Sequence, residues 1–413
     1  MGDLIVSVDI GTSKVCTQVG RAGRNGQLEI LGKGMVPCSG LKKGIIVDID
    51  STAEAIRAAV NQAETAANVK IASAYANIIG MHVNVVENRS SLPISSANRE
   101  ITAKDADNVL YSVQNIDIPE DREIIDIIPR QFIIDGYDEI SDPVGMMGTK
   151  LEVDADILIG KITSVQNIVK SMERAGIKID GLIAEAFAAG ELVLTPDEKD
   201  TGVVMVDVGG GVTDISVYKG KHLVFYESIP IGGDHITSDI AIGLRLSVAE
   251  AEKIKRQYEL ALTTLIKNDQ EITVLDVKEN RKKNVKISEV VEIIEARVYE
   301  IFSLCREAAQ KAGALNGINS GVVLTGGGIS YVDGNKQLAG EVFGMPVRVA
   351  SVNCPGITKP EYIVSAGMIK YIANIRKKGS AGSEVRLQKP VISSRPAKPG
   401  IFEKIFAFIK EMF

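Results

Sequence analysis

The sequence predicts an α/β protein of two related halves, with a smaller α+β module set into the first and an amphipathic segment at the end. Three observations predict it. Strand-like and helix-like segments alternate along most of the 413 residues. One pattern occurs twice, a buried strand that ends in Asp and turns through Gly: Val8-Asp9-Ile10-Gly11 and Val206-Asp207-Val208-Gly209. From about His82 to Lys161 the alternation gives way to β-rich segments punctuated by Pro93, Pro119, Pro129 and Pro143.

Taken in order, LIVSVDI, KVCTQVGR and QLEILGKGMV read as strands. STAEAIRAAVNQAETAAN reads as a helix in which Ser51 and Glu54 have capping-box spacing, and SAYANIIG as a further strand. The β-rich module carries one helix near Ala103–Gln114. SVQNIVKSMERAGIKIDGLIAEAFAAGELVL then holds two helical patterns around a short strand. TGVVMVDVGGG, TDISVYKG and HLVFYESIPIGG are three successive strands. Two long amphipathic helices are predicted over Ser247–Lys267 and Ser288–Ala312, separated by a charged, β-prone stretch. After the strand GVVLTGGG come mixed elements to Tyr371. Residues Lys377–Pro399, rich in Gly, Ser, Pro and Lys, read as a flexible linker.

Composition narrows the function. A net charge of −6 argues against a nucleic-acid partner, and 45% hydrophobic residues suffice for buried cores. Cys16, Cys38, Cys305 and Cys354 form no close pair and no zinc spacing, which fits a reducing compartment. His82, His222 and His235 lie too far apart in sequence to suggest a metal site. The start MGDLIVSVDIG has no basic region before its apolar run, and no run is long enough to cross a bilayer, so a cytoplasmic body is expected.

The repeated strand–Asp–Gly pattern carries the chemistry. Glycine lets backbone N–H groups approach an anion, and the hydroxyls of Thr12, Ser13 and Thr213 add donors. Lys14 supplies positive charge toward phosphates, and Asp9 and Asp207 at the two strand ends suit a hydrated Mg²⁺. A third glycine turn is Gly326-Gly327-Gly328, and in EKIKR the residues Glu252, Lys255 and Arg256 share adjacent helix faces. No GxxxxGK[ST] occurs, and no GxGxxG opens a helix after the first strand, which sets aside the P-loop and Rossmann fingerprints.

The order of these parts resembles the superfamily of actin, heat-shock-chaperone and sugar-kinase ATPases. VMVDVGGGVTDISVY, IPIGGDHITSDIAIGL, GVVLTGGG and a terminal amphipathic helix after a loose linker resemble, more narrowly, the FtsA family of bacterial division proteins. That resemblance implies an actin-like fold, with two ribonuclease-H-like halves around a nucleotide cleft. It implies subdomain 1A over residues 1–81 and 162–195, an inserted subdomain 1C over 82–161, 2A over 196–235 and 320–376, and 2B over 236–319. It also implies ATP and Mg²⁺ as cofactors. Gly11, Thr12, Ser13 and Lys14 would hold phosphates from one side and Gly209, Gly210, Gly211 and Thr213 from the other. Asp9 and Asp207 would sit near Mg²⁺ through water. Gly232, Gly233, Glu252, Lys255, Arg256, Gly326, Gly327 and Gly328 would surround ribose and adenine. Glu185 matches the glutamate that orients the attacking water in several actin-like ATPases, which with Asp207 leaves slow hydrolysis open.

The same resemblance implies an adaptor that self-assembles and ties FtsZ to the membrane at the division septum, with Arg297 near the site for the FtsZ tail peptide and other division proteins as further partners. The insertion is then expected to serve contacts between subunits. Two other classes share the body: a pilus-assembly adaptor like PilM, which lacks the tail, and a small-molecule kinase, which would need a base Asp and has no use for a terminal amphipathic helix. In IFEKIFAFIKEMF a helix places Ile401, Phe402, Ile405, Phe406, Phe408, Ile409, Met412 and Phe413 on one arc of roughly 160°. At this length the helix is too short to span a bilayer and is expected to lie in its interface. Arg376, Lys377, Lys378, Arg386, Lys389, Arg395 and Lys398 against Glu384 make the preceding linker basic, which suits an anionic leaflet.

Overall fold

The computed structural model describes residues 4–23, 27–329, 331–352, 354, 356–357 and 359–379. The eight apolar tail residues and nearly all of the linker lie outside the described residues. Among the described residues no helix is long and apolar enough to cross a membrane.

The first half contains β1 (Ile5–Ile10), β2 (Lys14–Ala22), β3 (Leu28–Pro37), the short hairpin β4 (Leu41–Lys42) and β5 (Ile45–Ile46), α1 (Ile49–Ala67) and β6 (Ser73–Ile78). It resumes after the insertion with α3 (Ile162–Arg174), β11 (Lys178–Ala184) and α4 (Glu185–Val193). The insertion consists of β7 (Val83–Pro93), α2 (Ala103–Ser112), β8 (Arg122–Ile134), β9 (Tyr137–Ile140) and β10 (Lys150–Lys161). The second half runs through α5 (Pro196–Thr201), β12 (Val203–Val208), β13 (Thr213–Lys219), β14 (His222–Ile229), α6 (Gly233–Gly243) and α7 (Val248–Gln257). It continues with β15 (Glu271–Asp276), β16 (Arg281–Lys286), α8 (Ile287–Lys311), β17 (Val322–Thr325), α9 (Asn335–Phe343) and β18 (Val347–Val349), and α10 (Ile363–Gly379) follows.

The internal repeat extends to the whole of each sheet. One sheet has the order β3-β2-β1-β6-β11 and the other β14-β13-β12-β17-β18. In both, the first three strands are antiparallel and the last two join in parallel. Val8 and Ile10 of β1, and Val204, Val206 and Val208 of β12, are buried, as expected of central strands covered on both faces. The insertion forms its own four-stranded antiparallel sheet, β7-β10-β8-β9, closed by α2 over a core that includes Val109, Phe132, Leu151, Val153 and Ile157.

The last helix crosses back. α10 follows the second half in sequence but packs on the first, where Met368, Ile369 and Ile372 join Ile5, Ile183 and Ala188 in one core. A Cβ on Gly367 would stand 2.0 Å from the Ala188 carbonyl oxygen, so glycine is what lets α10 lie directly on α4. The Ser7 hydroxyl donates to the Ser365 carbonyl at 2.8 Å and fixes α10 to β1.

Three expectations are corrected. α1 is capped by Asp48, whose carboxylate accepts from the N–H groups of Asp50 and Ser51; Ser51 lies inside the helix and donates its hydroxyl to that cap. The helix expected over Ser247–Lys267 ends at Gln257. There the chain turns to pair with the segment after the third glycine turn, through Asp333 N–H to Glu259 O at 2.7 Å and Ala261 N–H to Asp333 O at 2.8 Å. α10 runs to Gly379, into the stretch read as linker.

A candidate nucleotide cleft

The two hairpin turns face each other across a cleft of about 550 Å³ between the halves. Each turn closes itself in the same way: the Gly11 N–H bonds to Lys14 O at 2.9 Å, and the Gly209 N–H bonds to Val212 O at 2.9 Å. Asp9, Gly11, Thr12, Ser13, Lys14, Glu185, Asp207, Gly209, Gly210, Gly233, Glu252, Lys255, Arg256, Gly326, Gly327 and Gly328 all line it. Residues predicted from six separate stretches of sequence thus converge on one cavity.

The turns approach so closely that side chains are excluded. A Cβ on Gly210 would lie 1.9 Å from Ser13 Oγ, and one on Gly211 would lie 2.5 Å from Thr12 Cγ2. Gly326 has φ +98°, in the left-handed region, and a Cβ there would stand 2.4 Å from Asp207 Oδ1. A Cβ on Gly327 would lie 3.3 Å from Lys14 Nζ, which places the ammonium between the first and third glycine turns.

Carboxylates crowd the floor. Burial pushes the Asp9 carboxyl up to about 6 against the pull of Lys14. Burial also pushes Asp207 up to about 7, with Asp214 and Asp9 adding to it. Glu185 is held well above the usual carboxylate range by burial and then by Asp214 and Asp9. Asn77 ties this group together, donating from Nδ2 to Asp9 Oδ1 at 3.0 Å and to Glu185 Oε1, while its Oδ1 accepts from the Ile10 N–H at 2.7 Å. Asp214 in turn takes the Ser228 hydroxyl.

The opposite end of the cleft is built on α6 and α7. Lys255, only 3% exposed, donates to Gly233 O at 3.0 Å and Thr237 Oγ1 at 2.7 Å and pairs with Glu252 at 2.6 Å. Arg256 pairs with Glu252 at 2.6 Å and lies over the Tyr331 ring, 5.7 Å from its centroid. These residues form a wall of mixed charge and aromatic surface, suited to a polar ring with exocyclic groups.

Four predicted residues stand elsewhere. Thr213 is fully buried and donates its hydroxyl to Ile231 O at 2.7 Å, which pins the β14–α6 turn; no phosphate role is left to it. Gly211 and Gly232 are packing positions behind the lining, with a Cβ on Gly232 meeting the Gly210 and Gly209 carbonyls at 2.5 and 2.6 Å. Arg297 lies on α8, where Asp239 takes its Nε and NH2 at 2.5 and 3.0 Å and Glu300 takes NH1. Residues that the motifs did not name also line the cleft: Asp234, Thr237, Ser238, Val248, Tyr331 and Glu361.

A family model described as "Cell division protein FtsA" matches residues 204–367, and one described as "SHS2 domain inserted in FTSA" matches residues 80–159. The cell division protein FtsA of Bacillus subtilis (strain 168) is 39% identical over 397 residues, covering 95% of this chain and 90% of that protein. That of Pseudomonas aeruginosa (strain PAO1) is 34% identical over 417 residues, covering 100% and 99%. Among solved structures, a PilM-PilN type IV pilus biogenesis complex matches with a TM-score of 0.61 at 15% identity, over 89% of this chain and 98% of that one. MreB5 of Spiroplasma citri bound to ADP matches with a TM-score of 0.56 at 16% identity, over 92% and 98%. At such identities the likeness is one of fold, the actin-like arrangement of two halves about a cleft.

Proposed function

This chain belongs to the FtsA family of cell division proteins, and on that premise we propose that it binds Mg-ATP in the cleft and self-assembles to tie FtsZ filaments to the cytoplasmic membrane at the septum. The observation that carries the nucleotide reading is the convergence of Ser13, Lys14, Gly210 and Gly327 on one cavity with Asp9 and Asp207 at its floor. The residues present fit the group. Glycine carbons leave space where any side chain would meet Ser13 or Thr12, and buried Asp9 and half-buried Asp207 lie within electrostatic reach of each other and of Lys14.

Asp9 and Asp207 would hold the Mg²⁺ through water, and the ion would supply charge neutralisation on the terminal phosphates. Lys14 would add a point charge, and the Thr12 and Ser13 hydroxyls would donate to phosphate oxygens. Glu252, Lys255, Arg256 and Tyr331 would take the nucleoside. Asn77 holds Glu185 at a fixed distance from Asp9, which suits the placing of a water. Slow or no hydrolysis is the expectation carried over from the family resemblance.

Self-assembly and the FtsZ partnership rest on family membership, and the membrane step rests on the apolar arc of Ile401–Phe413. A pilus-assembly reading has only the fold in its favour, at 15% identity. The test has two arms. Calorimetry should show Mg-ATP binding by the full chain and none by Gly210→Val, with circular dichroism unchanged; equal binding by both would refute the cleft. Electron microscopy on lipid monolayers with ATP should show membrane-bound filaments; a bare monolayer would refute the adaptor.

A further inference from the structure

The short hairpin β4–β5 turns through Lys43 and Gly44, both with positive φ, at 49° and 76°. Two such residues define the tight I′ turn that suits a two-residue hairpin. Its tip is inserted where three parts of the molecule meet. The Gly44 N–H donates to Thr12 Oγ1 at 3.0 Å, in the first phosphate turn. A Cβ on Gly44 would lie 3.2 Å from each of Val212 of the second turn, Ile79 and Met81. The Gly44 carbonyl takes Nε2 of buried His82 at 3.3 Å. His82 is the last residue before β7, the first strand of the insertion.

The same junction is gripped from the opposite side. A Cβ on Gly80 would stand 2.5 Å from the Tyr226 ring and 2.6 Å from Ser228 Oγ, both on β14. Ser228 donates to Asp214, and Asp214 is hydrogen-bonded to Glu185 on the cleft floor. Ile79 itself lines the cleft. Within four residues the chain therefore passes from the cleft wall, at Ile79, to the root of the insertion, at His82.

We propose that the junction Ile79–His82, read through Gly44, is a nucleotide sensor that couples occupancy of the cleft to the inserted subdomain. The inference rests on the nucleotide reading above. A Thr12 hydroxyl that donates to a phosphate oxygen becomes a better acceptor for the Gly44 N–H, since hydrogen bonds in a chain polarise one another. The bound nucleotide thereby fixes the hairpin tip, and the tip fixes His82 at the base of β7. Coupling is reciprocal in binding free energy, so loosening the His82 end must weaken the nucleotide by the factor that the nucleotide tightens the junction. His82 touches neither the phosphates nor the nucleoside wall; it is a positioning residue.

The test uses the full chain and Mg-ATP. In the wild type, ATP should slow amide exchange at Gly44 and through Val83–Val85. His82→Phe keeps a ring but removes the donor; it should weaken ATP roughly three- to tenfold, the worth of one neutral hydrogen bond, and abolish the ATP-dependent protection at Val83–Val85. His82→Gln, which can restore an N–H, should recover most of both. A His82→Phe protein with wild-type affinity and wild-type protection would overturn the sensor while leaving the nucleotide site standing. A wild type that binds no ATP would instead overturn the nucleotide reading. If His82→Phe does not fold, the wild type decides: ATP binding without altered exchange at Gly44 and Val83–Val85 ends the proposal.

Discussion

Ser13 and Asp234 meet across the cleft, the hydroxyl donating to the carboxylate at 3.0 Å between residues 221 apart in sequence. The bond joins the first glycine turn to the first turn of α6, so it bridges the halves at the place where phosphates are expected. On the proposed nucleotide reading, an arriving phosphate would compete for that hydroxyl and face the Asp234 charge.

Asp234→Asn should therefore tighten ATP. The amide still accepts from Ser13, and the backbone bond from Asp234 N–H to Gly210 O, at 2.8 Å, does not depend on the side chain. Removing one negative charge a few ångströms from the phosphates is worth about 1 kcal/mol even at the dielectric of bulk water. Calorimetry at low ionic strength should show affinity rising roughly fivefold. Weaker binding by the Asn variant would mean that Asp234 helps to hold the metal.

Asp126 gives the insertion a pH dependence. It is buried in β8, accepts the Ile127 N–H at 2.9 Å, and burial pushes its carboxyl up to about 7 from an ordinary value of 3.8. The folded state keeps a proton that the unfolded state releases near pH 4, so this contribution is complete below that pH and is lost as pH rises through 7. Asp126→Asn should melt higher than the wild type at pH 8, by up to about 4 kcal/mol of stability, and match it at pH 4. A difference that does not change with pH would assign the effect to packing.

Arg297 is already engaged by Asp239 and Glu300. If it receives the acidic part of the FtsZ tail, Asp239 competes with that peptide. Asp239→Asn should then strengthen peptide binding several-fold in an anisotropy titration, and Arg297→Glu should abolish it. Unchanged affinity in both variants would leave Arg297 as a tie between α6 and α8.

The terminal segment is tested by its own stripe. Phe406→Glu puts a charge among eight large apolar side chains and should release the protein from anionic liposomes without altering its ATP affinity. Co-sedimentation equal to that of the wild type would exclude a role for the stripe at the membrane.

Sequence patterns located much of the cleft because its turns are local: a strand, an Asp, then glycines whose spacing is written in consecutive residues. The Asp207↔Asp214 pairing was legible, though Asp214 is not among the predicted residues: a hairpin that turns between Val208 and Thr213 places those two side by side. Asn77 was not. It ends a plain strand, and its importance comes from β6 lying beside β1. Thr213 misled because alternation in a strand decides which way a hydroxyl faces, and here it faces inward. The end of α7 was invisible for a related reason: the pattern past Gln257 stays amphipathic, but pairing with Asp333 outweighs it.

The return of α10 to the first half also decides how the molecule bears force. Whatever follows Gly379 leaves from a helix seated on α4 and bonded to β1, the strand that carries Asp9. Tension applied there enters the first half, through a glycine-close contact and the Lys370 ammonium on the Glu191 carbonyl at 2.6 Å. The second half takes its share through the root of the same helix, where Ile363 packs with Val203, Met205 and Val323.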